Sequence, residues 1–233
     1  MLEGEHLIAE ALASRVPLET VAAMEGTLAE PLLAALHGQR VRVVEVTASV
    51  LSAMSPVRQP SGAIAIARHG PSTLDEVLAR PPQLVLVIAD VQDPGNVGAI
   101  IRAAEACGAT GVVASPGTAD PFGWKALRGS MGSAFRVPIA VRTELPDALA
   151  AARARSLRVC ATVPRRGTPL PSCRLSEPSL ILFGGEGPGL PPDVVADADE
   201  RITIPMHPPV ESMNVATAAA IVLYEAMRQR SRP

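Results

Sequence analysis

The sequence predicts an α/β protein in two parts, a small α/β domain over residues 1–80 and a larger domain over residues 81–233 that contains a parallel sheet. Two turn clusters rich in Gly, Pro and Ser mark the boundary near residue 80. The apolar run Leu84–Ala89 is typical of a strand buried on both faces of a parallel sheet. After that run, strand and helix patterns alternate, which indicates a parallel sheet covered by helices.

The first part alternates short helix and strand patterns. In chain order, we predict a helix at His6–Ser14, a strand at Leu18–Met24, a helix at Glu30–His37, a strand at Val41–Thr47, a helix at Ala48–Met54 and a strand at Gly62–Ala67. The turn clusters His69–Ser72 and Arg80–Gln83 follow, and a short helix at Thr73–Ala79 is predicted to link them.

The second part begins with the buried strand Leu84–Ala89. Further strands are predicted at Gly111–Ala114, Val137–Val141, Arg158–Val163, Leu180–Phe183 and Arg201–Pro205. Helices are predicted between and after them at Val97–Cys107, Trp124–Arg128, Asp147–Ser156 and Asn214–Arg230. The last of these helices is apolar nearly all round, so we expect it to be buried in the core or against a second subunit.

Composition argues against several classes of protein. A net charge of −2 and 2% aromatic residues do not fit a strongly basic nucleic-acid binder or a base-stacking platform. Three cysteines without a CxxC pair, and four scattered histidines, predict no disulfide framework and no metal site. No apolar run is long enough to span a membrane, and the first residues do not resemble a signal peptide. We therefore expect a cytoplasmic protein with no membrane segment.

Five arginines lie close together in the second part, between residues 153 and 166, and form a basic run. It consists of Arg153, Arg155 and Arg158, followed by Arg165 and Arg166. A solvated surface and a set of phosphate contacts are both compatible with this run.

The first of three unusual segments follows the buried strand and enters a helix. It spans Asp90–Arg102, where Asn96 is predicted to cap the helix and Gly98 permits a close backbone approach. Arg102 lies six residues after Asn96, which is less than two helical turns. Arg102 could therefore reach back toward a ligand held by the loop, although the spacing alone favours a capped helix with an exposed arginine.

The second segment, Gly184–Leu190, holds four glycines directly after the predicted strand Leu180–Phe183. Its exposed backbone N–H groups could bind a phosphate or let an adenosine lie flat. The spacing matches neither the dinucleotide fingerprint nor the P-loop. A simple tight turn around the lone carboxylate of Glu186 remains an alternative.

The third segment, Ile204–Thr217, leads into the long apolar helix. Ser212 could cap that helix. For both Ser212 and Asn214, capping alone and a functional role are equally open. Like the other two segments, this one follows a predicted strand, where the ligand sites of α/β folds gather.

Together the three segments resemble the signature of the SpoU (TrmH-like) family of RNA ribose methyltransferases, in the SPOUT superfamily. The first motif, NxGxxxR, is matched by Asn96, Gly98 and Arg102. The second is matched by Gly184, Glu186, Gly189 and Leu190, and the third by Ile204, Pro205, Met206, Ser212, Asn214, Val215 and Ala218. A family segment close to RxSxG is matched by Arg128, Ser130 and Gly132.

The resemblance implies a C-terminal trefoil-knotted domain that binds S-adenosylmethionine, acts on RNA as a homodimer and needs no metal. It implies catalytic roles for Arg102, Asn96, Glu186, Ser212 and Asn214. It implies cofactor contacts from Gly184, Gly185, Glu186, Gly187, Leu190, Ile204, Met206, Ser212 and Met213, and RNA contacts from Arg128, Ser130 and Arg102. Our hypothesis for Arg102 is that its guanidinium, a poor base, binds the phosphate beside the target ribose.

The first part is similar to the substrate-binding domain that is often fused to these enzymes, which has a ribosomal-protein-like RNA-binding fold. That architecture favours 23S ribosomal RNA as the substrate over tRNA. The family pattern is broken at Pro208, where glycine is usual, and proline has no backbone N–H to donate. A tRNA methyltransferase, a catalytically weak RNA-binding homologue and a nucleotide-dependent oxidoreductase remain as alternatives.

Overall fold

The structure, a computed structural model, describes residues 1–81 and 83–231, which form two separate sheets. Pro82, within the predicted turn cluster Arg80–Gln83, lies outside the described residues. We call residues 1–67 the N-terminal unit and residues 83–231 the C-terminal unit. The predicted α/β fold with a parallel sheet is confirmed.

The N-terminal unit is a four-stranded mixed sheet with three helices. Its elements are β1 (Leu2–Glu3), α1 (Glu5–Ala13), β2 (Leu18–Ala23), α2 (Glu30–Gly38), β3 (Arg42–Glu45), α3 (Ala48–Met54) and β4 (Ala63–Ala67). The strand order is β1-β4-β2-β3, in which only β2 and β3 pair in parallel. A short helix, α4 (Leu74–Leu78), leads to the C-terminal unit and begins with a capping box between Thr73 and Glu76.

The C-terminal unit is a seven-stranded parallel sheet. Its strands are β5 (Leu84–Ala89), β6 (Gly111–Ala114), β7 (Ile139–Ala140), β8 (Arg158–Thr162), β9 (Thr168–Pro169), β10 (Ser179–Gly184) and β11 (Glu200–Thr203). Its helices are α5 (Pro94–Ala106), α6 (Trp124–Ser130), α7 (Leu145–Arg153), α8 (Pro192–Asp197) and α9 (Val215–Arg230). The strand order is β7-β6-β5-β10-β8-β11-β9.

The strand β5 shows why this sheet is covered on both faces. All six of its residues are buried. Leu84, Leu86 and Ile88 pack with α5 and α9, whereas the alternate residues Val85, Val87 and Ala89 pack with α4, α7 and α8. No described helix combines the length and the apolar character needed to cross a membrane.

Three short elements were absent from the sequence prediction. They are the strands Leu2–Glu3 and Thr168–Pro169 and the helix Pro192–Asp197. Two-residue strands carry no periodic pattern, and each exists only because an edge of the sheet accepts its hydrogen bonds. Other predicted elements shift at their ends. The helix predicted at Asp147–Ser156 is Leu145–Arg153, and the strand predicted at Val137–Val141 shortens to Ile139–Ala140 at the edge of the sheet.

The side chain of Arg136 ties the two units together. Its Nη1 donates to Glu10 Oε2 on α1 at 2.6 Å, and its Nη2 donates to Glu105 Oε2 on α5 at 3.0 Å. The guanidinium lowers the pKa of Glu105, since it stabilises the ionised carboxylate. This fork supplements a hydrophobic core that runs without a break from α1 to α5.

Replacing Arg136 by methionine, which keeps the aliphatic stem, should lower the free energy of unfolding by about 1 kcal/mol at pH 7, because the groups are about one-third exposed and partly screened. The folded-state pKa of Glu105 lies below its unfolded value. Its contribution is therefore present above the unfolded pKa, roughly 4.3, and disappears as the pH falls through the folded pKa.

Urea unfolding of wild type and Arg136→Met between pH 3 and pH 7 measures this difference directly. The two stability curves should converge toward the acid end. Arg155→Ala, which breaks an exposed pair with Asp75, is the control and should change stability little at any pH. A gap between wild type and Arg136→Met that does not depend on pH would show that the fork acts through packing alone.

Candidate active site

One cavity of about 610 Å³ lies where the strands β8, β10 and β11 end. A cavity of this size at the carboxyl ends of parallel strands is suited to a cofactor. Four chain segments supply most of its lining: residues 162–164, residues 183–190, Ile204 with Met206, and residues 212–215. Val195, Ile202, Ala218 and Val222 complete it. All nine predicted cofactor residues are among the lining residues: Gly184, Gly185, Glu186, Gly187, Leu190, Ile204, Met206, Ser212 and Met213.

The glycine-rich loop is shaped by the lack of a side chain at Gly185. A Cβ there would lie 2.1 Å from the backbone oxygen of Asp90. The loop also folds back on itself, since Gly185 forms an isolated bridge with Gly189. The cavity therefore has a wall of bare backbone, against which a flat group such as an adenosine fits.

Three polar side chains meet at the edge of this cavity. The amide nitrogen of Asn96 donates to Glu186 Oε1. The amide nitrogen of Asn214 donates to Asn96 Oδ1 at 3.0 Å and to Glu186 Oε1 at 3.4 Å. The three motifs that are far apart in the sequence are thus joined in one hydrogen-bond network, which we call the Asn–Glu–Asn cluster.

The caps of two helices differ from the prediction. Asp93 caps α5, and its Oδ1 accepts from the N–H of Asn96 at 2.8 Å. Asn96 itself lies in the first turn, so its side chain is free to join the cluster. Asn214, not Ser212, caps α9 by accepting from the N–H groups of Ala216 and Thr217. This cap turns the amide nitrogen of Asn214 toward the cavity.

Arg102 does not line the cavity. It is exposed on α5, roughly 9 Å beyond Asn96 along the helix axis at 1.5 Å per residue. The side chain of Arg102 has neither a hydrogen bond nor an ion pair with any other residue among 1–81 and 83–231. The structure thus brings together four of the five predicted catalytic residues and leaves the guanidinium of Arg102 available to solvent.

Of the other predicted RNA contacts, Arg128 is exposed and Ser130 is not. Ser130 is fully buried, and its hydroxyl donates to the backbone oxygen of Leu127 at 3.0 Å. A buried hydroxyl offers no surface to RNA, so the prediction for Ser130 as an RNA contact is wrong. The segment is instead part of the packing of α6 on α5, where a Cβ on Gly98 would lie 2.4 Å from the oxygen of Ala126.

Several cavity residues were missed by the sequence prediction. They are Thr162, Val163 and Pro164 at and after the end of β8, Phe183 on β10, Pro188 and Gly189 in the glycine-rich loop, Val195, Ile202, and Val215, Ala218 and Val222 on α9. The end of β8 could have been found from the rule that parallel strands share one carboxyl edge. Pro208 is not among the described residues that line the cavity, and the loop instead reaches it through Met206 and Ser212.

The described residues contain no group of three or more His, Cys, Asp or Glu side chains that could hold a metal ion. The three cysteines are free, and burial raises the pKa of Cys160 to about 12. Cys160 is therefore a thiol at neutral pH rather than a nucleophile.

These features define an α/β enzyme that holds a nucleoside-bearing cofactor at the carboxyl edge of its parallel sheet. The model of the SpoU rRNA Methylase family matches residues 83–224, and that of the MRM3-like substrate binding domain matches residues 1–65. The chain belongs to the SpoU rRNA Methylase family, which confirms the resemblance found in its motifs.

Individual relatives match along nearly the whole chain. The 23S rRNA (guanosine(2553)-2'-O)-methyltransferase RlmP of Bacillus subtilis is 34% identical over 96% of this chain and 86% of its own length. The AdoMet-bound rRNA methyltransferase from Sinorhizobium meliloti is 30% identical, with a TM-score of 0.86 over 97% of this chain and 85% of that one. The SpoU methyltransferase AviRb from Streptomyces viridochromogenes, in complex with AdoMet, is 27% identical, with a TM-score of 0.88 over 98% and 89% of the two chains.

Proposed function

We propose that this protein transfers the methyl group of S-adenosylmethionine to a ribose 2'-hydroxyl of RNA, and that 23S ribosomal RNA is its substrate. The observation that carries the proposal is the Asn–Glu–Asn cluster, which joins all three sequence motifs at the edge of one cofactor-sized cavity. The similarity to a 23S rRNA 2'-O-methyltransferase supports the same reaction. The similarity to an rRNA methyltransferase and a SpoU methyltransferase, both solved with AdoMet, supports the same cofactor.

The cavity fits S-adenosylmethionine. The bare backbone at Gly184 and Gly185 would support the adenosine, while Leu190, Ile204 and Met206 provide apolar contacts. We assign Gly187, Ser212 and Met213, which also line the cavity, to the same binding site. When bound, S-adenosylmethionine supplies a methyl group that its sulfonium already activates.

The chain must orient the ribose and assist the loss of its proton. The Asn–Glu–Asn cluster holds its amide and carboxylate groups in fixed directions, as a preorganised site requires. The hydroxyl of Ser212 has no hydrogen-bond partner in the described part of the chain and lies at the cavity wall, so it is available to the ribose.

The guanidinium of Arg102 has a pKa far above neutrality and is a poor proton acceptor. We infer that it binds the phosphate beside the target ribose, because the planar fork of arginine matches two phosphate oxygens. A positive charge there lowers the pKa of the 2'-hydroxyl by stabilising the developing oxyanion. Arg128, which is also exposed, is proposed as a second phosphate contact.

Replacing Asn214 by aspartate separates its two roles. Aspartate caps a helix as well as asparagine does, so thermal stability should stay close to wild type. The substitution removes the donor to Asn96 and puts a second carboxylate beside Glu186, so methyl transfer should fall by about 10²-fold, as for other preorganised donors.

Asn214→Ala provides the comparison, since it removes the cap as well and should cost about 1 kcal/mol of stability. Thermal unfolding and single-turnover methyl transfer, measured on both variants, distinguish the roles. Normal transfer by Asn214→Asp would contradict a catalytic role for the cluster.

The preference for ribosomal RNA over tRNA rests on the N-terminal unit. Residues 1–65 match a substrate-binding domain, and two full-length relatives are named for rRNA. We further propose that the domains divide near residue 80, giving residues 1–80 and 81–233, and that the protein is cytoplasmic, in keeping with its free cysteines. The trefoil knot implied by the family stays a prediction.

The test is methyl transfer from labelled S-adenosylmethionine to unmodified total RNA, which is then separated by size and digested to nucleosides. Label in a 2'-O-methylnucleoside of the 23S band is the expected result. Label in the tRNA band would show that the substrate is tRNA. RNA binding with no transfer to naked RNA or to ribosomal particles would identify a catalytically weak homologue.

We also propose a homodimer formed through α9. Ile221 and Tyr224 lie three residues apart on this helix and are 37% and 59% exposed. The buried face of the helix consists of Val215, Ala219, Val222, Leu223 and Ala226. Tyr224→Glu should shift the protein from a dimer to a monomer of 24.2 kDa in analytical ultracentrifugation. Met54→Glu, at another exposed apolar position, on α3, is the control. A wild type that is monomeric at micromolar concentration would contradict this assembly.

A further inference from the structure

The loop between β8 and β9, residues 163–167, lies at the mouth of the cavity. Its first two residues, Val163 and Pro164, line the cavity wall, and the next two are Arg165 and Arg166. Two positive charges therefore stand directly beside the site that receives the cofactor. Neither arginine has a part in the methyl transfer proposed above.

The base of this loop is fixed by one hydroxyl on β11. Thr203 Oγ1 accepts from the N–H of Gly167 at 2.9 Å and donates to the backbone oxygen of Val163 at 3.2 Å. Both ends of the loop are thus held on the sheet. The two arginines project from a rigid support rather than from a free loop, which lowers the entropy lost when they bind a ligand.

The only described partner of Arg165 is a carboxylate from the opposite side of the mouth. Arg165 Nη2 lies 2.7 Å from Glu211 Oε1, and Glu211 immediately precedes the cavity residue Ser212. The side chains of Arg165 and Glu211 are 64% and 75% exposed, so water screens the pair and it contributes little to stability. An incoming anion can therefore displace Glu211 at low cost.

The other arginines of the same basic run are already engaged. Arg153 pairs with Asp197, Arg155 with Asp75 and Arg158 with Glu200, and none of these residues lines the cavity. Arg166 has neither an ion pair nor a hydrogen bond within the described residues. Within this basic run, only Arg165 and Arg166 are thus available to a ligand that approaches the cavity.

The charges around the mouth show which ligand these arginines suit. Glu186 is the only charged residue among the described residues that line the cavity, and Glu211 adds a second negative charge nearby. An RNA strand that brings a ribose to this site carries a phosphate on each side of it. The carboxylates of Glu186 and Glu211 repel those phosphates, and the charges of Arg165 and Arg166 offset that repulsion at the mouth.

We propose that Arg165 and Arg166 form a phosphate-binding site for the RNA backbone beside the target ribose, and that Glu211 occupies Arg165 until a phosphate displaces it. The proposal rests on the proposed function, since it assumes an RNA substrate. Bidentate binding of phosphate by arginine is stronger than the exposed carboxylate pair that it replaces.

The experiment measures binding of an unmodified 23S rRNA transcript across a series of salt concentrations, together with calorimetric titration of S-adenosylmethionine. The variants are the double variant Arg165→Ala/Arg166→Ala and the single variant Glu211→Gln. Arg155→Ala is the matched control, because it also removes an exposed arginine with a carboxylate partner at 2.7 Å.

We expect the double variant to bind RNA about 10-fold more weakly at low salt. The slope of log affinity against log salt should be shallower by about 1.4 to 1.8, which corresponds to two phosphate contacts. Glu211→Gln should bind RNA more tightly, since the competing anion is gone. Affinity for S-adenosylmethionine should stay within about twofold of wild type in every variant, because the arginines do not line the cavity.

A double variant with the RNA affinity and salt slope of Arg155→Ala would overturn the proposal. A loss of S-adenosylmethionine binding with an unchanged salt slope would also overturn it, and would show that the ion pair closes the cofactor pocket instead. Failure of the proposed function is a separate result: wild type would transfer no label to any RNA, while the salt series would still decide whether the two arginines bind phosphate.

Discussion

Replacing Arg102 by alanine should reduce the rate of methyl transfer by about 10²- to 10³-fold, the loss typical of removing one group that stabilises a developing oxyanion. Binding of S-adenosylmethionine should stay close to wild type, because Arg102 is exposed on α5 outside the cavity. Stability should also hardly change, since no ion pair or hydrogen bond to another described residue is lost. Single-turnover transfer to 23S rRNA and cofactor titration measure the two effects separately.

Arg102→Lys tests the reason for this effect. Lysine keeps the positive charge but loses the planar fork, so we expect it to recover only a small part of the lost rate. Arg155→Ala, which removes an arginine remote from the cavity, should retain the wild-type rate. Near-normal transfer by Arg102→Lys would exclude forked phosphate binding and leave a simple charge effect.

The second large effect is expected from Gly185→Ala. The new Cβ would lie 2.1 Å from the oxygen of Asp90, a backbone atom that cannot rotate away. Overpacking of this kind costs about 1–3 kcal/mol, so the melting temperature should fall by several degrees. The displaced loop would also narrow the cavity, so binding of S-adenosylmethionine should be lost or greatly weakened.

Gly70→Ala is the matched control for this substitution. Nothing lies within 4 Å of a Cβ at Gly70, and its φ is not in the left-handed region. Its melting temperature and cofactor affinity should equal those of wild type. If Gly185→Ala binds S-adenosylmethionine as wild type does, the glycine-rich loop is not the support for the cofactor.

The sequence was sufficient to predict the parts of the fold that depend on local patterns. The run Leu84–Ala89 is apolar at every position, which identified a strand buried on both faces with its observed limits. The glycines of the second motif left a binding loop and a simple tight turn equally open. The resemblance to the family implied nine cofactor residues, and all nine line the cavity. Short edge strands such as Thr168–Pro169 could not be predicted, because their partners create them.

Only the tertiary structure decided which side chains meet. Asn96 lies 90 residues before Glu186 and 118 residues before Asn214 in the sequence, so no local pattern encodes their contact. The burial of Ser130 depends on how α6 packs on α5, and the pairing of Arg165 with Glu211 depends on two loops that meet at the cavity mouth. The sequence by itself determined the longer helices and strands and the chemistry of the motifs, since both depend on residue type and spacing. The positions of the charges around the cavity were decided by the fold, because contacts across a sheet depend on how distant strands are ordered.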